Sequence, residues 1–268
     1  MDIYLYTDEE GVAGVDWWDD RKSEHPEEVA RRRRARELLM GEVNAAADGA
    51  FAGGATRVLA VQGHGSSFLY ELADSRLELI TGSGYPEWIP GIGPGFAGAF
   101  VIGAHAMCGT PGATLAHTFS YEQGRRWNLC GRDIGEFGAF AAVCGVHGVP
   151  VVMASGDDKF CAEARALLPE IETAQVKTGI SLHCARHLST ERARALVRET
   201  ARRAVERLAK SRPGRYQPPG PPYVFRLSEV HPPKPALQPG VEMRQISATE
   251  VELRGGELLP VLLSATSY

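Results

Sequence analysis

Three consecutive acids stand at the end of the first apolar segment of the chain. The stretch YLYTDEEGVAG places Asp8, Glu9 and Glu10 directly before Gly11. Side chains two residues apart in an extended strand share a face, so we expect Asp8 and Glu10 to point together and Glu9 to point away. Two carboxylates on one face repel each other unless a cation lies between them, and a divalent metal would serve. Taken alone, the pair also suits a solvated strand end.

Two histidines follow two further apolar segments in the same way. RVLAVQ (57–62) runs into His64, which lies between two glycines, and AFVIGA (99–104) runs directly into His105. In an open α/β sheet, ligands bind beyond the carboxyl ends of the strands. The sequence therefore predicts that His64 and His105 reach the same edge of the sheet as the two acids.

Glu136 and His117 complete the candidate site. Glu136 begins a predicted helix. An acid at this position could simply interact favourably with the helix dipole, or it could supply a further oxygen ligand to the site. Carboxylate and imidazole ligands without thiolate suit zinc, and also manganese or cobalt. His117 follows a loop that Thr110-Pro111-Gly112 turns back. We expect it over the site as general base, nucleophile or oxyanion partner; the alternative is an ordinary loop histidine.

Strand and helix patterns alternate through the first 190 residues. Strands are predicted at 2–7, 57–62, 78–82, 99–104, 150–155 and 173–179, helices at 24–51, 136–148, 162–169 and 189–211, and a hairpin at 125–134. This alternation favours an α/β fold, a mostly parallel sheet flanked by helices in three layers, Rossmann-like. After the proline-rich segment 213–222, strand patterns continue without such alternation. We therefore expect a catalytic domain at 1–211 and a smaller α+β portion at 212–268.

Composition excludes several classes of protein. The 268 residues carry a net charge of −4, which does not favour a nucleic-acid partner. The basic run RRRRAR (31–36) is interpreted as a solvated or subunit-facing helix surface, with phosphate binding as the alternative. No apolar run is long enough to cross a membrane, and no signal peptide is expected at the N-terminus. Five cysteines without a CxxC pair favour a reducing cytoplasm.

The ordered set of motifs resembles the M55 family of D-aminopeptidases through about residue 190. The motifs are Asp8-x-Glu10-Gly11, His64-Gly65, His105 with Thr110-Pro111-Gly112 and His117, and Gly135-Glu136-x-Gly138. The resemblance implies a dinuclear zinc peptidase that cleaves short peptides with a free amino end, often containing D-alanine. It implies that two divalent metal ions, most often zinc, are held by Asp8, Glu10, His64, His105 and Glu136. It also implies that His117 acts in catalysis, and that the subunits form a homo-oligomer, a decamer of two stacked five-fold rings.

The chain departs from the family pattern at positions that are not proposed ligands. Tyr6 stands where the family has a serine, and Phe140 stands where it has an asparagine. The pair Gln62-Gly63 replaces the polar residue that the family usually has before the histidine of the second strand. Cys130-Gly131 replaces the usual Asn-Gly of the hairpin turn. We expect these departures to affect substrate preference and to leave the metal ligands intact.

The predicted function is metal-dependent hydrolysis of the N-terminal residue of a short peptide. A metal-dependent amidase acting on non-peptide or L-aminoacyl amides would use the same site, and a panel of substrates would separate the two. A non-catalytic ring protein that binds dipeptides is the third alternative. The intact set of five candidate ligands with His117 argues against it.

Overall fold

The larger of two sheets is mostly parallel. The computed structural model describes residues 1–19, 22–65, 67–82, 85 and 88–266. The strands of this sheet are β1 (Asp2–Thr7), β2 (Arg57–Val61), β3 (Leu77–Ile80), β4 (Gly98–Ala104), β7 (Val151–Asp157), β8 (Glu172–Ser181) and β9 (Cys184–His187). They lie in the order β3-β2-β1-β4-β7-β8-β9, and every neighbouring pair is parallel except β8 with β9. The predicted fold class is confirmed.

Helices cover both faces of this sheet. They are α1 (Pro26–Ala52), α2 (Glu136–Val146), α3 (Asp158–Leu167) and α4 (Thr190–Lys210), and a further helix, α5 (Leu258–Thr266), follows near the end of the chain. Alternate residues of β1 separate two cores. Ile3 and Leu5 pack with α1 and α4, whereas Tyr4 and Tyr6 pack with α2 and α3. No helix in the described part of the chain is long and apolar enough to cross a membrane.

Helix α1 begins at a proline and carries the basic run on its outer surface. Pro26 occupies the first turn with two acids, which suits a helix N-terminus. The guanidinium of Arg31 lies 3.0 Å from Glu28, and that of Arg33 lies 3.0 Å from Glu37. These pairs support the interpretation of the run as a solvated helix surface.

The second sheet is antiparallel and packs against the α2 side of the molecule. Its strands are β5 (Arg126–Leu129), β6 (Arg132–Ile134), β10 (Tyr223–Ser228), β11 (Val241–Ser247) and β12 (Glu250–Gly255), in the order β11-β12-β10-β5-β6. Strands β5 and β6 form the predicted hairpin, and β10 pairs with both β5 and β12. The sheet thus combines strands from both sides of residue 212. The division into 1–211 and 212–268 stays a prediction, and residues 267–268 lie outside the described part.

Candidate metal centre

The carboxyl ends of three adjacent strands meet at one cavity. Strand β1 lies between β2 and β4, and these strands lead into Asp8, His64 and His105 respectively. The cavity has a volume of about 520 Å³. Its lining includes all six predicted site residues: Asp8, Glu10, His64, His105, His117 and Glu136. The structure therefore brings the predicted residues together, with Glu136 contributed by the first turn of α2.

The acids lie in a turn and not in the strand itself. Strand β1 ends at Thr7, and the turn is held by hydrogen bonds from the Asp8 N–H to Ile102 O (2.8 Å) and from the Gly11 N–H to Gly103 O (2.7 Å). Strand alternation therefore does not apply beyond Thr7. Asp8 and Glu10 line the cavity, whereas Glu9 is not among its lining residues, in keeping with the expectation that Glu9 points elsewhere. Its Oε2 lies 3.9 Å from Nδ1 of His64.

Gly11 allows the acid turn to pack directly on the end of β4. A Cβ atom at this position would lie 1.9 Å from the carbonyl oxygen of Ala104, closer than any side chain permits. The close approach of the two backbones is what brings the acids of the turn next to His105. Glycine at position 11 is therefore a requirement of the site's geometry.

The acids and imidazoles form two groups that meet at Asp8. In the first group, Nε2 of His64 lies 3.2 Å from Oε1 of Glu10. In the second, Nε2 of His105 lies 3.2 Å from Oδ2 of Asp8 and 3.3 Å from Oε1 of Glu136. Asp8 also belongs to the first group, since ligand-type atoms of Asp8, Glu10 and His64 lie within 4.8 Å of one another. The two groups are therefore adjacent candidate metal-binding groups.

Backbone carbonyls orient two of the imidazoles. Nδ1 of His105 lies 3.0 Å from the carbonyl oxygen of Ala106, and Nδ1 of His117 lies 2.9 Å from that of Leu115. A carbonyl oxygen can accept a hydrogen bond but cannot donate one, so Nδ1 carries the proton in both rings. In the neutral form of each ring, the lone pair is then on Nε2, which faces the carboxylates.

His117 lies over the centre on a strained loop. Its ring stacks on that of His105 at 3.8 Å between centroids, and its Nε2 lies 4.0 Å from Oε1 of Glu10. Leu115 and Phe119, on either side of it, have positive φ angles of 53° and 64°. Such strain is found where a loop must hold a functional side chain in place. Atoms of His105, His117 and Glu136 also lie within 4.8 Å, so the geometry alone would let His117 bind a metal.

Burial and opposing charges govern the electrostatics of the centre. Burial raises the pKa of Asp8 to about 7, and the charge of Glu10 adds to the rise. Burial would lower the pKa of His64, but Glu10 and the neighbouring acids raise it to about 9. Burial likewise opposes protonation of His105, yet the carboxylates beside it raise its pKa well above the ordinary value. The buried carboxylates thus attract positive charge into the cavity.

The donor set fits divalent metal ions. It offers carboxylate oxygens and imidazole nitrogens without a thiolate, which suits zinc. Oε2 of Glu10 is buried and has no hydrogen-bond partner among the described residues. A buried carboxylate oxygen is costly unless a cation or donor satisfies it. Asp8, Glu10, His64, His105 and Glu136 thus form a candidate metal centre.

Sequence reasoning missed residues that support the centre from outside. Nζ of Lys177 is buried and donates to the carbonyl oxygens of Glu10 (2.5 Å) and Val15 (2.7 Å), which fixes the acid turn. The lysine in the predicted strand TAQVKTG (173–179) was the available signal. The ring of Trp18 packs edge-on against His117 at 5.1 Å between centroids. No pattern in the sequence links that residue to the site.

Comparisons with known proteins agree with the motif resemblance. The model of the M55 peptidase family, described as D-aminopeptidase, matches residues 1–259. A D-aminopeptidase of Bacillus subtilis (strain 168) is 32% identical over 218 residues, which cover 80% of this chain and 77% of that protein. The solved structure of the Zn-dependent D-aminopeptidase DppA from Bacillus subtilis, described as a self-compartmentalizing protease, superposes with a TM-score of 0.85. That match has 26% identity and covers 98% of this chain and 95% of the other. The chain therefore belongs to the M55 peptidase family and is a metallo-aminopeptidase.

Proposed function

We propose that this enzyme is a zinc-dependent D-aminopeptidase that removes the N-terminal residue of short peptides. The observation that carries the proposal is the convergence of Asp8, Glu10, His64, His105 and Glu136 at one cavity. In this proposal the five residues hold two zinc ions, with Asp8 next to both groups of ligands. Family membership and the zinc-dependent relative support the choice of metal and of substrate class.

Bound zinc would lower the pKa of a water molecule and polarise the carbonyl of the scissile bond. His117 is proposed to be the catalytic residue that moves a proton or stabilises the oxyanion. Burial and the neighbouring His105 lower its pKa, so its imidazole is neutral near pH 7. Because Leu115 O fixes the proton on Nδ1, Nε2 offers its lone pair towards the centre. Trp18 packs edge-on against the ring, and His117 is only 8% exposed.

The proposal extends to assembly and location. We propose a homo-oligomer, a decamer of two stacked five-fold rings that encloses the active sites. Support comes from the self-compartmentalizing relative, whose structure superposes over 98% of this chain. All five cysteines are unpaired, which suits a reducing cytoplasm.

The direct test is hydrolysis of a panel of aminoacyl amides by zinc-loaded protein. D-alanyl p-nitroanilide, its L enantiomer and its N-acetylated form differ in one feature each. We expect hydrolysis of the D compound, little hydrolysis of the L compound and none of the acetylated one. Equal hydrolysis of the acetylated compound would contradict an aminopeptidase and favour an amidase.

A further inference from the structure

Glu9 is buried and lies beside the Nδ1 edge of His64, on the opposite side of the ring from Nε2 and Glu10. The residue is 4% exposed, and its Oε2 lies 3.9 Å from Nδ1 of His64. We propose that Glu9 is a positioning residue, which holds His64 through Nδ1 so that Nε2 is presented to zinc. This inference rests on the proposed function, since it takes His64 as a zinc ligand.

The two nitrogens of His64 face two different carboxylates. Nε2 lies 3.2 Å from Oε1 of Glu10, within the group that also contains Asp8. Nδ1 faces Glu9, in a second group of ligand-type atoms that also contains Asp19. A neutral imidazole carries one proton, so a proton on Nδ1 leaves the lone pair on Nε2. The orientation of the ring therefore assigns Nε2 to the metal and Nδ1 to Glu9.

In His105 and His117, the Nδ1–H is held by a backbone carbonyl oxygen, that of Ala106 and that of Leu115 respectively. His64 lies between two glycines on the segment after β2, and the carboxylate of Glu9 faces its Nδ1. A carboxylate acceptor holds the ring and also makes the imidazole a more basic ligand than a carbonyl would. Glu9 would thus supply for His64 what the backbone supplies for the other two.

The unpaired carboxylate oxygen of Glu9 also indicates His64 as its partner. Its Oε2 is buried without a hydrogen-bond partner among the described residues. Burial of a carboxylate is costly unless a donor or a cation is close, and the imidazole of His64 is the group that faces it. When Nε2 binds zinc, the Nδ1–H becomes a stronger donor, which strengthens its attraction to Glu9. Zinc binding and the Glu9–His64 contact should therefore reinforce each other.

The test is the zinc affinity of the metal-free full-length protein, measured by competition with a chromogenic chelator. We expect Glu9→Met to bind zinc about 10–100-fold more weakly, the usual effect of removing the acceptor behind a ligand histidine. Glu9→Gln should stay within a few fold of the wild type, because its amide oxygen remains an acceptor for the Nδ1–H of zinc-bound His64. The control is Glu252→Met, which changes another nearly buried acid, in the second sheet, and should leave the affinity unchanged.

Two outcomes would overturn the inference, and they differ in what they say about the proposed function. Equal zinc affinities of the wild type and a folded Glu9→Met protein would overturn the role of Glu9 alone. Absence of zinc binding by the wild type would overturn both. If Glu9→Met fails to fold by circular dichroism, the ¹⁵N shifts of His64 in the zinc-loaded wild type decide. A proton on Nδ1 supports the inference, and zinc on Nδ1 contradicts it.

Discussion

At the scale of single residues, His117 has the position and the protonation state of a proton carrier. It stacks on His105 at 3.8 Å, its Nδ1 is held by a carbonyl, and its Nε2 faces Glu10 at 4.0 Å. Leu115 and Phe119, on either side of it, have positive φ angles, a backbone conformation that costs stability in residues other than glycine. Its assignment to catalysis and not to metal binding stays a prediction.

His117→Ala should separate these two roles. We expect kcat for D-alanyl p-nitroanilide to fall by about 10²–10⁴-fold, the usual contribution of a positioned acid–base group. Zinc content, measured by mass spectrometry, should remain that of the wild type. Loss of zinc from the variant would instead make His117 a ligand, and retained activity would remove it from the mechanism.

Three of the departures from the family pattern, at positions 6, 63 and 140, meet around the ring of Tyr6. Its ring lies 5.1 Å from that of Phe140 between centroids. A Cβ at Gly63 would lie 2.1 Å from the Thr7 carbonyl oxygen and 2.6 Å from Tyr6 Cζ. Tyr6 and Gly63 line the cavity, and Phe140 packs against Tyr6. Tyr6 is therefore the departure in this group whose side chain could contact a substrate.

Tyr6→Ser should alter the choice of substrate more than the chemistry. Removing the ring opens space next to the centre, so kcat/KM for a D-phenylalanyl amide should rise about 10-fold relative to the D-alanyl amide. Tyr6→Phe is the matched control, because it keeps the ring and should keep the ratio. An unchanged ratio in the serine variant would show that this wall does not contact the side chain of the substrate.

At the scale of elements, the centre depends on the acid turn lying against the end of β4. The turn is joined to that strand by two backbone hydrogen bonds and is held from the other side by Lys177. Two separate strands, β4 and β8, therefore fix the position of Asp8 and Glu10. A displacement of the turn would misplace both acids at once.

Gly11→Ala should abolish tight zinc binding. The new Cβ would lie 1.9 Å from Ala104 O, and neither backbone can yield without moving the acids. We expect a loss of zinc affinity of at least 100-fold, on the order of 3 kcal/mol, in isothermal titration calorimetry. Gly93→Ala is the control, since no atom of the described residues lies within 4 Å of its added Cβ. A wild-type affinity for zinc in Gly11→Ala would contradict the close packing of the acid turn against the end of β4.

Local sequence patterns predicted the elements that deliver the ligands, but not those whose form depends on distant partners. The apolar segments before Asp8, His64 and His105 identify strands because burial on both faces leaves a continuous apolar run. Strand β9 escaped prediction, because it is short and polar and exists through pairing with β8. The approach of Glu9 to His64 was not predicted either, since it depends on the turn after Thr7, which is held by hydrogen bonds to β4.

At the scale of the whole molecule, burial of the Glu42 carboxyl group near the acid turn makes the free energy of unfolding depend on pH. Glu42 on α1 is 2% exposed, and its Oε1 accepts a hydrogen bond from Ala13 N–H (2.9 Å). Burial raises the pKa of this carboxyl from 4.5 to about 7. Between these values the folded state keeps a proton that the unfolded state has lost. The contribution of Glu42 to stability therefore falls as pH rises from about 4.5 to about 7.

Glu42→Gln should remove this pH dependence. Its amide still accepts from Ala13 N–H but does not ionise, so the metal-free variant should gain stability relative to the wild type as pH rises. At pH 8 the gain should approach about 3 kcal/mol, since each unit of pKa shift is worth about 1.4 kcal/mol. At pH 4 the two free energies of unfolding, measured in urea, should be similar. A difference that is constant with pH would contradict a raised pKa.

We propose that one cavity holds two zinc ions, which together make the chain a D-aminopeptidase. The most direct test is titration of the metal-free protein with zinc while hydrolysis of D-alanyl p-nitroanilide is followed. We expect no activity without metal and maximal activity at two equivalents of zinc per chain. Full activity at one equivalent, or without any metal, would contradict the proposal.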